Sequence, residues 1–332
     1  MSTIKKNMIR DRAPKSISIT DEQYKQVNKE NRRLAEEWLN ESTHLSPNSI
    51  SQYKSAIKIF LVWIHETFGE NKQIHQIKKK DYLRFQNSLI RRGLSSGGVK
   101  LKRSCISSFC KYIINFYEEE EDYLTFRNFV DGVPNPTLNK VYEKVPVSEE
   151  ESQLIIKQLT EDENWQLLAL YYFMYISGCR RGEIVQVRRE ILDYAPVEGK
   201  NYYWTHKIRC KGKGLEGESR PIMFDDKARE YVNKWMEARG EDDNPYLFVT
   251  KYNKSVNQIK ISTVNDWFAN IISDIVGRRV NPHITRASRS TDILNSGLNI
   301  KMAQKLLGHK DSSTTEKFYD LREDQEDMGG IF

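Results

Sequence analysis

The chain is short of several things, and each shortage excludes a class of protein. Among 332 residues there are only four cysteines (Cys105, Cys110, Cys179 and Cys210), and none forms a C-x-x-C pair. A disulfide scaffold is therefore not expected. No stretch approaches the roughly 18 consecutive apolar residues of a spanning helix, and with charged residues at 30% of the chain no membrane role is expected. The opening MSTIKKNMIRDRAPK has no apolar core of the kind that directs secretion. Together these absences point to a reduced, cytoplasmic setting. No internal repeat is present, so a solenoid is not expected either.

Acidic residues are scarce in one place. Residues 72–111 hold eleven Lys or Arg and a single acid, Asp81. Residues 1–144 carry 25 basic against 17 acidic residues, whereas 145–332 carry 27 against 29. The modest overall charge of +6 is thus concentrated in the first half. A short charge run is often a solvated face, but eleven to one over forty residues favours a polyanionic partner.

Periodicity then organises the chain. Residues 1–44 are polar and weakly patterned, with Lys5, Lys6, Arg10, Arg12 and Lys15, and read as a basic arm that is at best partly ordered. Ser46 and Pro47 open a helix with apolar residues at three- and four-residue steps: Ile50, Tyr53, Ile57, Phe60, Leu61 and Ile64. A second helix is expected near 79–92, turning Tyr82, Phe85 and Leu89 inward and stopping at Gly93. A third spans 97–117, burying Val99, Ile106, Cys110, Ile113 and Tyr117, with Lys100, Arg103, Ser107 and Lys111 in line on its other side. Three prolines in VPNPTLNKVYEKVP, residues 133–146, mark a linker, and Ser148 with Glu151 forms a capping box for the next domain. Helices near 163–177, 225–238 and 262–276 surround one β signal, YYWTHKIRC and RPIMF joined by KGKGLEGES.

Four islands in the second half do not look like packing. SGCRRGEI (177–184) carries two arginines and a glutamate after a glycine, CKGKG (210–214) two lysines on a turn, and PHITR (282–286) a histidine and an arginine on one helical face. LLGHKDSSTTEKFYD (306–320) carries His309 and Tyr319, with Leu306, Leu307 and Phe318 expected in the core. Each island alone is explained by a helix-ending glycine, a soluble turn or an exposed polar edge. Together they supply Arg, Lys, His, Arg, His and Tyr. That set suits a cationic cradle for a phosphodiester attacked by a tyrosine, because planar arginine forks clamp the non-bridging oxygens on which the transition state gathers charge. No metal-ligand cluster is apparent in the spacing, so neither a metal nor another cofactor is expected.

These boxes resemble the tyrosine recombinases, also called the lambda-integrase or phage-integrase family, over residues 45–320. PHITR and LGHKDSSTTEKFY carry the resemblance most strongly, the latter with L-G-H, paired threonines and a tyrosine ten residues after the histidine. The resemblance implies a mainly α fold with a small antiparallel β-sheet: a helical, SAM-like core-binding domain (45–132), a linker (133–147) and an α+β catalytic domain (148–320), followed by a tail (321–332). It implies catalytic roles for Arg180, Lys211, His283, Arg286, His309 and Tyr319. Lys213 rivals Lys211, because the loop to Arg220 is longer than usual. Glu183 would buttress the site, and Arg181 is a neighbour that could touch DNA. Ala287 departs from a histidine that is common after the second arginine, a position without a chemical role. Candidate DNA contacts in the basic domain are Lys78, Lys79, Lys80, Arg84, Lys100, Lys102, Arg103 and Lys111.

The implied partners are double-stranded DNA recombination sites and further copies of the chain, as a tetramer on paired sites, with an accessory DNA-bending protein as a possible addition. The implied role is the integrase of a mobile element; Xer-like dimer resolution and DNA inversion are alternatives. A type IB topoisomerase-like nicking enzyme shares the constellation but acts on one strand as a monomer. A decayed, purely DNA-binding relative fits an intact set of six residues poorly. The tail's apolar Ile331 and Phe332, after five acids and one base, suggest docking on a neighbouring copy.

Overall fold

Short capping motifs decide where the helices begin. The computed structural model describes residues 17–137, 145–210, 217–253 and 255–308. These fall into two compact units, the second beginning at Val145.

The first unit contains α1 (Asp21–Lys25), α2 (Lys29–Glu41), α3 (Pro47–Phe68), α4 (Lys79–Arg91) and α5 (Ser96–Phe116). Ser46 accepts a hydrogen bond from Ser49 N and places Pro47 in the first turn of α3, where the missing N–H costs nothing. Ser95 caps α5 in the same way, accepting from Gly98 N. The core is aromatic: the Phe60 ring lies 4.9 Å from Phe85 and 5.9 Å from Phe129, and Trp38 lies 5.3 Å from Phe109. Of the inward residues expected on α3 and α5, Ile57, Phe60, Leu61, Ile64, Val99, Ile106, Cys110, Ile113 and Tyr117 are buried; Ile50 and Tyr53 are only half-buried.

One expectation is corrected. Residues 17–44 are not a loosely ordered arm, because α2 buries Leu34, Ala35 and Trp38 in this core. The buried Asn31 side chain also donates to Lys72 O at 2.9 Å and accepts from Ile74 N at 2.8 Å, pinning the helix to the turn before α4. Few apolar positions carry this packing, and charged neighbours hide them in the sequence. Residues 1–16 lie outside the described residues.

The linker is tied at both ends. Val133 is buried in the first core, and Pro134 O accepts from Gln86 Nε2 at 2.9 Å. Val147 N donates to Ser288 Oγ at 2.7 Å in the second unit, where Arg278 holds Glu151 and the carbonyls of Val145 and Pro146. Residues 138–144 lie outside the described residues.

The second unit runs α6 (Glu149–Glu161), α7 (Trp165–Ser177), α8 (Arg181–Ile184), β1 (Tyr202–Trp204), β2 (Ile208–Arg209), β3 (Ser219–Arg220), β4 (Met223–Asp225) and α9 (Asp226–Arg239). Then follow β5 (Val249–Tyr252), β6 (Ser255–Gln258), α10 (Ile261–Trp267), a π-helical turn (Phe268–Ile272), α11 (Ser273–Val276), α12 (Pro282–Asn295) and α13 (Ile300–Leu307). The apolar α7 is the axis of the unit, with Leu167, Leu168, Leu170, Phe173 and Met174 fully buried. The expected single hairpin is two short antiparallel ladders, β1–β4 and β2–β3. Thr205 interrupts it: its N–H donates to Ile222 O and its hydroxyl accepts from Ile222 N, both at 2.9 Å, so a side chain replaces part of the ladder. Among the described residues, no helix is long and apolar enough to cross a membrane.

Candidate active site

Two helix C-termini meet at the candidate site. Gly178 ends α7 in the left-handed region (φ 61°), and Gly308 ends α13 the same way (φ 63°). Both positions need glycine for space as well as for torsion. A Cβ on Gly178 would lie 2.5 Å from Leu307 Cδ2, and one on Gly308 would lie 2.5 Å from Arg220 Nε. The glycines of the first and last motif boxes are thus where the backbone of each box is approached closely by another element.

Helix C-termini leave carbonyls without partners, and cations satisfy them well. Arg286, on α12, donates from Nη1 to Gly178 O and from Nη2 to Leu307 O, both at 2.6 Å, and is fully buried. Arg220, on β3, donates to Leu306 O and Leu307 O at 3.2 Å. Leu307 O therefore accepts from two guanidiniums. Two of the five Arg286 donors thus hold the two helix ends together.

Arg180 is the more accessible cation. It caps the short α8, where Glu183 Oε2 accepts from Arg180 N at 3.0 Å and Oε1 from Nη1 at 2.6 Å. The Arg180 side chain keeps 26% of its surface, while that of Glu183 keeps 2%. Arg220 Nη2 lies 3.7 Å from the same carboxylate. Burial alone pushes the Glu183 carboxyl up, but Arg180 and Arg220 outweigh it and hold it below the usual range. Glu183 thus stays ionised and fixes Arg180, as a buttress should. Beside it, burial and the Glu183 charge push the Cys179 thiol up to about 12, which keeps it neutral and unreactive.

His283 stands in the first turn of α12, exposed, with its backbone N–H donating to Asn281 Oδ1 at 3.0 Å. Thus Arg180 and Arg286 converge, through Glu183, Arg220 and the two helix ends, and His283 shares a helix with Arg286. Lys211, Lys213, His309, Phe318 and Tyr319 lie outside the described residues. Leu307 is buried as expected, and Leu306 is half-buried. Arg181 is exposed and donates to Asn265 Oδ1 at 2.7 Å. Arg220 was missed in the sequence, because an arginine before a proline in a short strand carries no periodic signal. Among the described residues, no group of three or more His, Cys, Asp or Glu could hold a metal.

In the first unit, the cations expected on α5 do share a face. Lys100, Arg103 and Lys111 line a groove of about 580 Å³ together with Ser104, Ser107 and Asn135. Arg103 is partly committed inward, donating to Val130 O at 3.1 Å and to Gln86 Oε1 at 3.4 Å. Lys102 does not line that groove; burial pushes its ammonium pKa down. Lys78, Lys79, Lys80 and Arg84 lie at the start of α4, with Arg84 3.5 Å from Asp81 and 56% exposed.

Comparison with known proteins bears on this arrangement. Residues 146–325 match the model of the phage integrase family, and residues 34–116 match the phage integrase N-terminal SAM-like domain. The chain belongs to this family, the tyrosine recombinases, and is a site-specific recombinase. It is 38% identical over 332 residues to the SPbeta prophage-derived recombinase-like protein YomM of Bacillus subtilis, covering 99% of this chain and 98% of that one. It is also 26% identical over 286 residues to tyrosine recombinase XerC of Psychromonas ingrahamii, covering 83% and 87%. Among solved structures, the fold resembles the Tn1549 transposon integrase in complex with circular intermediate DNA (TM-score 0.66, 13% identity, 91% of this chain and 99% of that one). It also resembles a lambda integrase dimer bound to a COC′ core site (TM-score 0.64, 16% identity, 88% and 96%).

Proposed function

We propose that this recombinase acts on double-stranded DNA as the integrase of a mobile element, cutting and rejoining strands through a 3′-phosphotyrosine on Tyr319. The observation that carries the chemistry is the cluster of Arg180, Arg220 and Arg286 around one carboxylate, Glu183, and two helix C-termini. Among the described residues, three guanidiniums against one carboxylate suit a phosphodiester. Arg180, held by Glu183 and partly exposed, takes one non-bridging oxygen, and Arg286 and His309 take the other.

An ordinary tyrosine has a pKa near 10, so about one in a thousand is ionised at pH 7. The Tyr319 proton leaves during attack, with His283 as acceptor. The departing 5′ oxygen needs a proton, which the lysine of CKGKG (Lys211, with Lys213 the rival) supplies. The product is a phosphotyrosyl ester plus a free 5′-hydroxyl. One ester replaces another, so a hydroxyl from a second strand reverses the step without an energy source. Exchange between two duplexes calls for four active sites, hence a tetramer on paired sites. The groove of Lys100, Arg103 and Lys111, together with Lys78, Lys79, Lys80, Arg84 and Lys102, supplies phosphate contacts that position the duplex.

Support for the mobile-element role comes from the prophage-derived relative, which matches end to end at 38% identity. The test is covalent trapping on a nicked duplex carrying the element's own ends. The wild-type protein should accumulate a denaturation-resistant adduct, and Tyr319→Phe should form none while binding DNA within a few-fold of wild type. An adduct in Tyr319→Phe would remove Tyr319 from its role.

A further inference from the structure

We propose that Gln186 is a positioning residue for the leaving-group lysine, acting through strand β2. The motif boxes do not include Gln186, which lies just beyond α8. Its side chain is half-buried and makes three hydrogen bonds: Nε2 donates to Gly182 O at 2.5 Å and to Arg209 O at 3.0 Å, and Oε1 accepts from Arg209 N at 3.2 Å.

The last two bonds carry the inference. Strand β2 is two residues long and, among the described residues, pairs only with β3, with Arg209 opposite Ser219. Arg209 turns both its N–H and its C=O away from that partner, and the primary amide of Gln186 satisfies both. A carboxamide offers one acceptor and two donors in one plane, so Gln186 does for the outer edge of β2 what a third strand would do. Its remaining donor reaches Gly182, inside the box that carries Arg180 and Glu183. His206 Nε2, just before β2, is also 3.3 Å from Gln186 O. One residue thus fixes the end of β2 to the turn that holds Arg180.

The chain leaves β2 at Arg209 and reaches Lys211 two residues later. A general acid works only within hydrogen-bond reach of the oxygen it protonates, about 2.6–3.2 Å. A displacement of about 1 Å can cost a hundredfold in rate. The β2–β3 ladder fixes β2 on one side, and Gln186 fixes its other edge against the turn that carries Arg180. The inference rests on the proposed acid role of the hairpin lysine.

The test compares cleavage of two duplexes, one with the natural 5′-bridging oxygen and one with 5′-bridging sulfur, which departs without a proton. Gln186→Ala should slow cleavage of the oxygen substrate by about 10- to 100-fold and should be restored to nearly wild-type rate by sulfur. Gln186→Glu keeps the acceptor for Arg209 N but loses both donors. It should show the same sulfur-rescued loss, and it serves if the alanine variant does not fold. Lys211→Ala and Lys213→Ala are run beside them. If a lysine variant is rescued by sulfur and neither Gln186 variant is, the inference about Gln186 fails alone. If neither lysine variant is rescued, the general-acid reading fails and takes the inference with it. An unchanged rate in Gln186→Ala on the oxygen substrate also overturns the inference.

Discussion

The two units are held together by different forces where it matters. In the first, rings do the work: Phe60, Phe85, Phe129, Trp38 and Phe109 pack within 6 Å of one another in pairs, and cations stay at the rim. At the candidate site in the second, cations are inside: Arg286 is fully buried, and with Arg220 it satisfies the carbonyls that end α7 and α13. An apolar core accepts near-isosteric exchange with modest losses. A guanidinium that bonds two carbonyls in fixed directions does not, because its planar fork has no substitute among the other side chains.

The sharpest way to break this comparison is to make a conservative change in each unit. Arg286→Lys keeps the charge but cannot span Gly178 O and Leu307 O. It should lower the cleavage rate about a hundred- to a thousandfold and should also lower the melting temperature. Phe60→Leu should cost about 1–2 kcal/mol in chemical denaturation and leave the rate of cleavage, once DNA is bound, unchanged. Equal effects on cleavage would erase the distinction.

A smaller effect is expected at Gly308. Alanine there meets both a left-handed torsion and the Arg220 guanidinium, so Arg220 must leave Leu307 O. Loss of about 1–2 kcal/mol in stability should accompany a slower cleavage rate that 5′-bridging sulfur does not restore. Sulfur rescue would mean the damage lies at the proton donor rather than the clamp.

On the other side of the comparison, Lys100→Ala with Lys111→Ala should weaken DNA binding without changing the cleavage rate of bound DNA. The slope of log K against log salt should flatten by about 0.9 for each phosphate no longer neutralised, hence by roughly two for the pair. Arg103→Ala should lower stability as well as affinity, given its bonds to Val130 O and Gln86. An unchanged slope in the lysine pair would mean that the groove faces solvent.

The smallest effect concerns acid. Arg239, whose side chain is fully buried, holds Asp242 and pulls its carboxyl down to about 2. A depressed carboxyl contributes its stability in full above its unfolded value near 3.9 and loses it as pH falls towards 2. The melting temperature of Asp242→Asn should therefore differ most from wild type above pH 4, and the two curves should converge as pH drops. A constant offset down to pH 2 would assign the effect to packing instead.

Much of this was legible in the sequence, and for nameable reasons. Ser46-Pro47 and the three- and four-residue steps of α3 announce a helix that buries one face, and the order of the four boxes points to the family. What stayed hidden depends on few residues acting at long range. The helix α2 docks through Leu34, Trp38 and the amide of Asn31 among many charges, and no periodicity advertises an asparagine that bonds residues more than forty positions away. The break in the hairpin rests on the Thr205 hydroxyl, and the role of Arg220 on carbonyls 86 and 87 residues downstream. Pattern reading finds surfaces; it does not find single polar side chains that replace backbone.

The π-helical turn at Phe268–Ile272 has a consequence for chain length. Such a turn is an α-helix carrying one extra residue, steadied here by the Ser273 hydroxyl, which lies 2.7 Å from Phe268 O and 2.9 Å from Val280 N. Each residue advances a helix by about 100°. A one-codon deletion within 268–272 would restore a regular helix and swing α10 by that angle about its axis. Asn265 would turn away from Arg181, although no residue of either box had been altered. The Arg181–Asn265 bond therefore depends on the length of this helix as well as on the two residues that make it.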